Sequence, residues 1–142
     1  MKYSEIIKKA SQIAFDAHKN DIDKGGYPYI MHPLYLAFQM DDEDSVCVAL
    51  LHDVIEDHGD KYSFNYLEQL GFNENIINAL KLLTHEKDVP YMDYIARIKT
   101  NTIATKVKIA DLKHNLDSTR IGEKHFYKEE IYKQALDYLF KK

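Results

Sequence analysis

Six ionisable residues have the types and spacing to do chemistry: His32, the adjacent pair His52 and Asp53, Glu56, Asp57 and Asp111. The stretch LLHDVIED, Leu50 to Asp57, sets a histidine and three acids among Leu, Val and Ile. On a helix, residues three and four apart share a face, so His52, Asp53, Glu56 and Asp57 line one two-turn stripe. That stripe runs beside the apolar one of Val46, Leu50 and Val54. Taken alone, the octet reads as a solvated acidic helix end with a histidine packed at its edge, since most charge runs are solvated faces. His58 lies about 120° around the helix from His52, a poor position for sharing a ligand with it.

Two other stretches shift that balance. In ATKVKIADLKHNLDSTR, Asp111 falls among Ile103, Val107, Ile109, Ala110, Leu112 and Leu116. Lys108 stands three residues before it, Asn115 four after, and Ser118 extends the same row. A Lys108–Asp111 pair alone would be an ordinary, weak helical ion pair, and His114 a core-edge histidine. His32 lies just before Pro33, at the start of a predicted helix. Together, His32, His52, Asp53 and Asp111 offer two imidazoles and two carboxylates. That donor set suits a borderline-to-hard divalent cation such as Mn²⁺, with positions left for water or phosphate. The cation would neutralise acids that otherwise destabilise a packed interior. A zincin site is excluded, because His85-Glu86 is followed by Val89 where HExxH needs its second histidine.

The elements that must position these groups are helical nearly throughout. Ser4 caps a first helix to about His18, with Ile6, Ile7, Ala10, Ile13, Ala14 and Ala17 as its apolar stripe. The loop NDIDKGGYPYIMHP follows, and Pro33 suits the first turn of a short helix, LYLAFQM. The acidic DDED separates it from one continuous helix over residues 46–57. Ser63 caps a helix over 64–70, Asn73 opens another through Leu83, and Pro90 begins YMDYIARIK. A helix over 102–116 and, beyond Gly122, a last amphipathic segment complete the chain. With no convincing strand, the expectation is all-α: a compact multi-helix bundle forming a single domain over residues 1–142.

Composition agrees and removes several function classes. The 142 residues are 45% hydrophobic and 30% charged, as in a globular domain. A net charge of −4 gives no global field for nucleic acid. Cys47, the single cysteine, sits in the apolar run VCVALL and reads as a small core residue. No stretch is apolar enough to span a bilayer, and the charged N-terminus resembles no signal peptide, so a cytoplasmic location is expected.

The order His…His-Asp…Asp is that of the HD-domain phosphohydrolases. KGGYPYIMHPLYLA, ALLHDVIED and VKIADLKHN, in that order, resemble the hydrolase domain of the RelA/SpoT family from about Ala14 to Arg120. That family removes the 3′-pyrophosphate of guanosine tetra- and pentaphosphate, and the chain resembles its small stand-alone alarmone hydrolases. The resemblance implies that His32, His52, Asp53 and Asp111 ligate a metal, normally Mn²⁺. Glu56 and Asp57 correspond to the acidic pair that orients and activates the hydrolytic water. Asn115, Lys24 and Ser118 match polar and basic positions of the nucleotide pocket, and Lys108 and Arg120 are further candidates for substrate phosphates. The expected partner is a phosphorylated nucleotide, rather than nucleic acid or membrane. The family usually has arginines where this chain has Asp23 and Asp117. Both acids weaken attraction for a heavily anionic nucleotide. They keep open a hydrolase for another phosphorylated nucleotide and, in a different class, a non-catalytic nucleotide-binding domain. Tyr27 and Tyr29 could stack on a base but read better as packing residues.

Overall fold

The structure is a computed structural model and describes residues 4–117 and 128–141. Among these residues the chain forms helices α1 (Glu5–Ala17), α2 (Met31–Phe38), α3 (Glu43–Leu51), α4 (Val54–His58) and α5 (Phe64–Gln69). They are followed by α6 (Glu74–Leu83), α7 (Tyr91–Lys99), α8 (Thr102–Asn115) and α9 (Glu129–Phe140). The only β pairing among the described residues is an isolated antiparallel bridge, Ile22 with Pro28. The all-α expectation therefore holds.

Local chemistry sets most of the boundaries. The side chains of Ser4, Asp42, Ser63, Asn73 and Asn101 accept from the amide three residues on, satisfying donors that a helix start leaves unpaired. Pro33 occupies the third position of α2, where the amide that proline lacks has no intrahelical partner in any case.

The bundle is organised around α3. Every residue from Ser45 to Leu51 is buried, so this helix is apolar all round rather than amphipathic. It packs against α1, α2, α6 and α8. Leu50, Leu51 and Val54 lie in the core with Leu36, Ile76, Leu80 and Leu112. Each such side chain contributes about 1.5–3 kcal/mol on burial. This packing fixes α3 in rotation and depth, and with it whatever its C-terminal end presents.

Three boundaries differ from the sequence expectation: the second helix spans Met31–Phe38 rather than LYLAFQM, the third begins at Glu43 rather than Val46, and the third is interrupted. The helix predicted over 46–57 is broken at His52 and Asp53, which form a turn between α3 and α4. His52 Nδ1 donates to the carbonyl of Ala49 at 2.7 Å. In a continuous helix that carbonyl would accept from the amide of residue 53. The side chain thus takes over the backbone ladder at the point where the His-Asp pair is needed.

Candidate active site

Three segments meet at the end of α3. His32 comes from α2, the pair His52-Asp53 from the α3–α4 turn, and Asp111 from α8. His32, His52 and Asp111 are 2%, 4% and 6% exposed, levels at which ionisable groups demand partners. His32 Nε2 lies 2.8 Å from Asp111 Oδ1. His52 Nε2 lies 2.9 Å from Asp53 Oδ2 and 3.6 Å from Asp111 Oδ1. The ligand atoms of His32, His52 and Asp53 all fall within 4.8 Å of one another.

The far side of each imidazole is already engaged. Nδ1 of His52 donates to Ala49, and Nδ1 of His32 lies 2.6 Å from Nδ1 of His114, whose ring stacks on it. Both Nε2 atoms are therefore turned toward the two carboxylates, and Nε2 of His52 makes no hydrogen bond despite its buried position. The Nδ1–H bond to Ala49 leaves the lone pair of His52 on Nε2. A lone pair facing carboxylate oxygens is repulsive unless a positive charge lies between them. These four residues fit a divalent cation on that ground, with their outer atoms oriented as metal-binding histidines require.

Without such an ion the charges are strongly perturbed. Burial pulls the His52 imidazole down, but the Asp53 and Asp111 carboxylates outweigh it and hold it well above its usual range. Burial raises Asp53, yet His52 outweighs it and holds the carboxyl at about 2. Asp111 is likewise opposed by burial and held well below the carboxylate range by Lys108, His32 and His52. Lys108 Nζ sits 3.0 Å from Asp111 Oδ2, and Asn115 donates its amide to Asp111 Oδ1 at 3.1 Å. Tyr29 donates its hydroxyl to Asp53.

Beside the cluster opens a cavity of about 890 Å³, lined by Lys24, Glu56, Asp57, Tyr91, Lys108 and Lys128 among others. Asp53 and Asp111 line it too. Glu56 and Asp57 project from α4. Burial and the nearby Asp53 charge raise both, Asp57 to about 6. Glu56 Oε1 also accepts from the amide of His85 at 3.3 Å, which fixes its position. The arrangement holds negative charge in the wall and brings Lys24, Lys108 and Lys128 to the same space.

The predicted site residues are largely brought together. Lys24 and Asn115 line the cavity, with Asn115 also turned onto Asp111. Lys108 reaches the cavity with its charge tied to Asp111. Ser118 and Arg120 lie outside the described residues. Asp23 accepts from the amides of Gly25 and Tyr27, both at 2.9 Å, so its carboxylate holds the loop's own turn. That loop reverses at Gly26, whose φ of +87° disfavours a side chain. Sequence reasoning read His114 as a core-edge histidine and Tyr29 as a packing residue that could stack on a base, and it missed Lys128. His114 lies three residues beyond Asp111 on the same helical face, a signal that was available. Tyr29 stands three residues before His32, its carbonyl accepting from the His32 amide, whereas Lys128 reaches the site from a segment with no regular spacing to it.

The fold and the buried cluster define a class: an all-α domain with a histidine–aspartate centre at a helix break. The chain resembles the hydrolase domain of the RelA/SpoT family. It is 35% identical over 65 residues to the guanosine-3′,5′-bis(diphosphate) 3′-pyrophosphohydrolase of Aquifex aeolicus, covering 43% of this chain and 9% of that protein. It is 28% identical over 125 residues to the bifunctional (p)ppGpp synthase/hydrolase SpoT of Escherichia coli K12, covering 78% of this chain and 17% of the relative. A GTP pyrophosphokinase of Myxococcus xanthus is 42% identical over 57 residues, 37% of this chain and 8% of that protein. The chain thus spans less than a fifth of the length of these curated relatives. No family model matches it. Among solved structures, a metazoan SpoT orthologue described as hydrolysing ppGpp superposes with a TM-score of 0.77 at 21% identity, covering 99% of this chain and 88% of that one. That likeness shows the fold.

Proposed function

We propose that the protein is a metal-dependent phosphohydrolase that releases pyrophosphate from the 3′ position of guanosine 3′,5′-bis(diphosphate). The convergence of His32, His52, Asp53 and Asp111 beside a cavity whose wall includes Asp53, Asp111, Glu56 and Asp57 carries this reading. Those four residues would hold a divalent cation of the Mn²⁺ type, which would supply Lewis-acid polarisation of a phosphoryl oxygen and a lowered pKa for water. Glu56, held by the amide of His85, takes the proton of the attacking water as general base. Burial and the Asp53 charge raise the basicity of Glu56, and Asp57 lies beside it on α4 in the same cavity wall. Lys24 and Lys128 face the substrate phosphates, and Lys108 holds Asp111 ionised. Tyr29, donating to Asp53, orients the carboxylate.

A second reading, hydrolysis of a less heavily phosphorylated nucleotide, is favoured by one observation. Asp23, in the position where the family usually has an arginine, spends its carboxylate on the substrate loop, so no cation stands there. The two readings separate in one assay. The Mn²⁺-loaded protein is offered guanosine 3′,5′-bis(diphosphate) and a panel of nucleoside mono-, di- and 3′-phosphates, scoring pyrophosphate against orthophosphate. Pyrophosphate released from the guanosine substrate alone supports the first reading. Orthophosphate from a monophosphate replaces it with the second, and ligand-induced stabilisation without any turnover sinks both.

A further inference from the structure

A second histidine–carboxylate cluster lies outside the catalytic assembly. His18 caps the C-terminal end of α1, Asp21 follows in the loop, and His58 is the last residue of α4. Asp21 Oδ2 is 3.0 Å from His18 Nδ1 and 2.7 Å from His58 Nε2, so one carboxylate oxygen accepts from two imidazoles. The ligand atoms of the three residues lie within 4.8 Å of one another. His18 is 2% exposed, and its other ring nitrogen, Nε2, is buried without a hydrogen-bond partner. A core residue with this role would be apolar. Burying an imidazole with one nitrogen orphaned is unfavourable unless its other nitrogen meets something stronger than a shared carboxylate.

We propose that His18, Asp21 and His58 form a second metal site, for a divalent transition ion of the zinc type. Two imidazoles and one carboxylate are a donor set this class of ion takes readily, with the remaining position left to water or an exogenous ligand. The open side is present: Asp21 and His58 line a separate cavity of about 410 Å³ with Asn20, Ile22, Tyr29 and Asp57. Two of the three donors stand at helix C-terminal ends, where the backbone carbonyls favour a cation. Burial pulls the His18 imidazole down, so the ring is neutral, and an ion at Nδ1 takes the place of the proton this atom shares with Asp21 while the ring's one proton moves to Nε2. Ion binding here ties the end of α1 to the end of α4, the helix that carries Glu56 and Asp57. Tyr29 spans the two centres, its ring 4.9 Å from that of His18 and its hydroxyl on Asp53.

The test counts ions and does not use activity. The full chain is equilibrated with Zn²⁺, freed of unbound ion, and its metal content measured by mass spectrometry. His58→Gln and Asp21→Asn should each hold one ion fewer than wild type, because each removes a donor from the same site. His32→Gln/Asp53→Ala reads the buried quartet separately, because it leaves that cluster one imidazole and one carboxylate, so failure of the catalytic assignment does not mimic failure of this one. In that background Zn²⁺ should still raise Tm, and adding His58→Gln should abolish that rise. Zinc content unchanged by His58→Gln, or a Zn²⁺-induced rise in Tm that survives in the triple variant, overturns the proposal.

Discussion

The two histidine–carboxylate clusters differ chiefly in how much water they see. At the buried one, His32, His52 and Asp111 are almost wholly enclosed, and Asp111 alone gathers His32, Lys108 and Asn115 within 3.1 Å. At the other, only His18 is enclosed, while the side chains of Asp21 and His58 are 33% and 30% exposed. The contrast teaches that partners accumulate with burial. A carboxylate in the core needs compensation on every lone pair, whereas one at the rim leaves part of the task to solvent. Each cluster takes one imidazole from the C-terminal cap of a helix, His52 from α3 and His18 from α1.

The largest expected effect breaks that contrast. Asp111→Ala leaves the largely enclosed Lys108 and the buried His32 without their carboxylate partner. Removing one member of a buried pair costs about 3–5 kcal/mol. Asp21→Ala, at the partly exposed cluster, should cost less than about 1 kcal/mol. Urea denaturation of both metal-free variants measures the gap, and equal losses would show that burial does not separate the clusters. Next in size, Glu56→Gln should lower turnover roughly a hundredfold, as for loss of a general base, while the bound metal per chain stays as in wild type. Metal lost together with turnover would move Glu56 from proton transfer to ligation.

The parts of this architecture visible in the sequence were those carried by neighbours along the chain. Ser4, Ser63 and Asn73 announced helix starts because a cap acts on an amide three residues away. His52, Asp53 and Asp111 stood out because ionisable groups interrupted apolar runs, and motif order linked them to His32. The break at His52 was invisible to periodicity, since His52 and Asp53 fit a helical stripe equally well. The break accompanies the bond from the imidazole to Ala49, which has no signature in the spacing. The second cluster was missed for a different reason. His58 lies about 120° around a helix from His52, so spacing along the chain separates it from the motif. Its partners arrive from α1 and from a loop that doubles back, with the amide of Tyr29 donating to the carbonyl of Asp21. Such convergence is a property of tertiary packing, with no signature at fixed spacing.

The smallest effect tests how each cluster is held by its own helix. α3 presents His52 and starts at Asp42, whose side chain accepts from the amide of Ser45 at 2.8 Å. α1 presents His18 and starts at Ser4, whose hydroxyl accepts from the amide of Ile7. Replacing either cap by alanine should cost about 1 kcal/mol at neutral pH. The two should part company in acid. Burial raises the Asp42 carboxyl, but the Ser45 amide and Lys106 outweigh it and hold it below its ordinary value of 3.8. A depressed carboxyl stabilises the fold fully above the unfolded value and loses that contribution as pH falls through the folded one. The cost of Asp42→Ala should therefore shrink as pH drops below about 4, while the cost of Ser4→Ala, which involves no charge, stays level. Denaturation midpoints of the two variants against wild type, taken from pH 7 downward, give the comparison. Parallel costs across that range would mean that Asp42 acts as a neutral cap and that its carboxylate charge does nothing to hold α3.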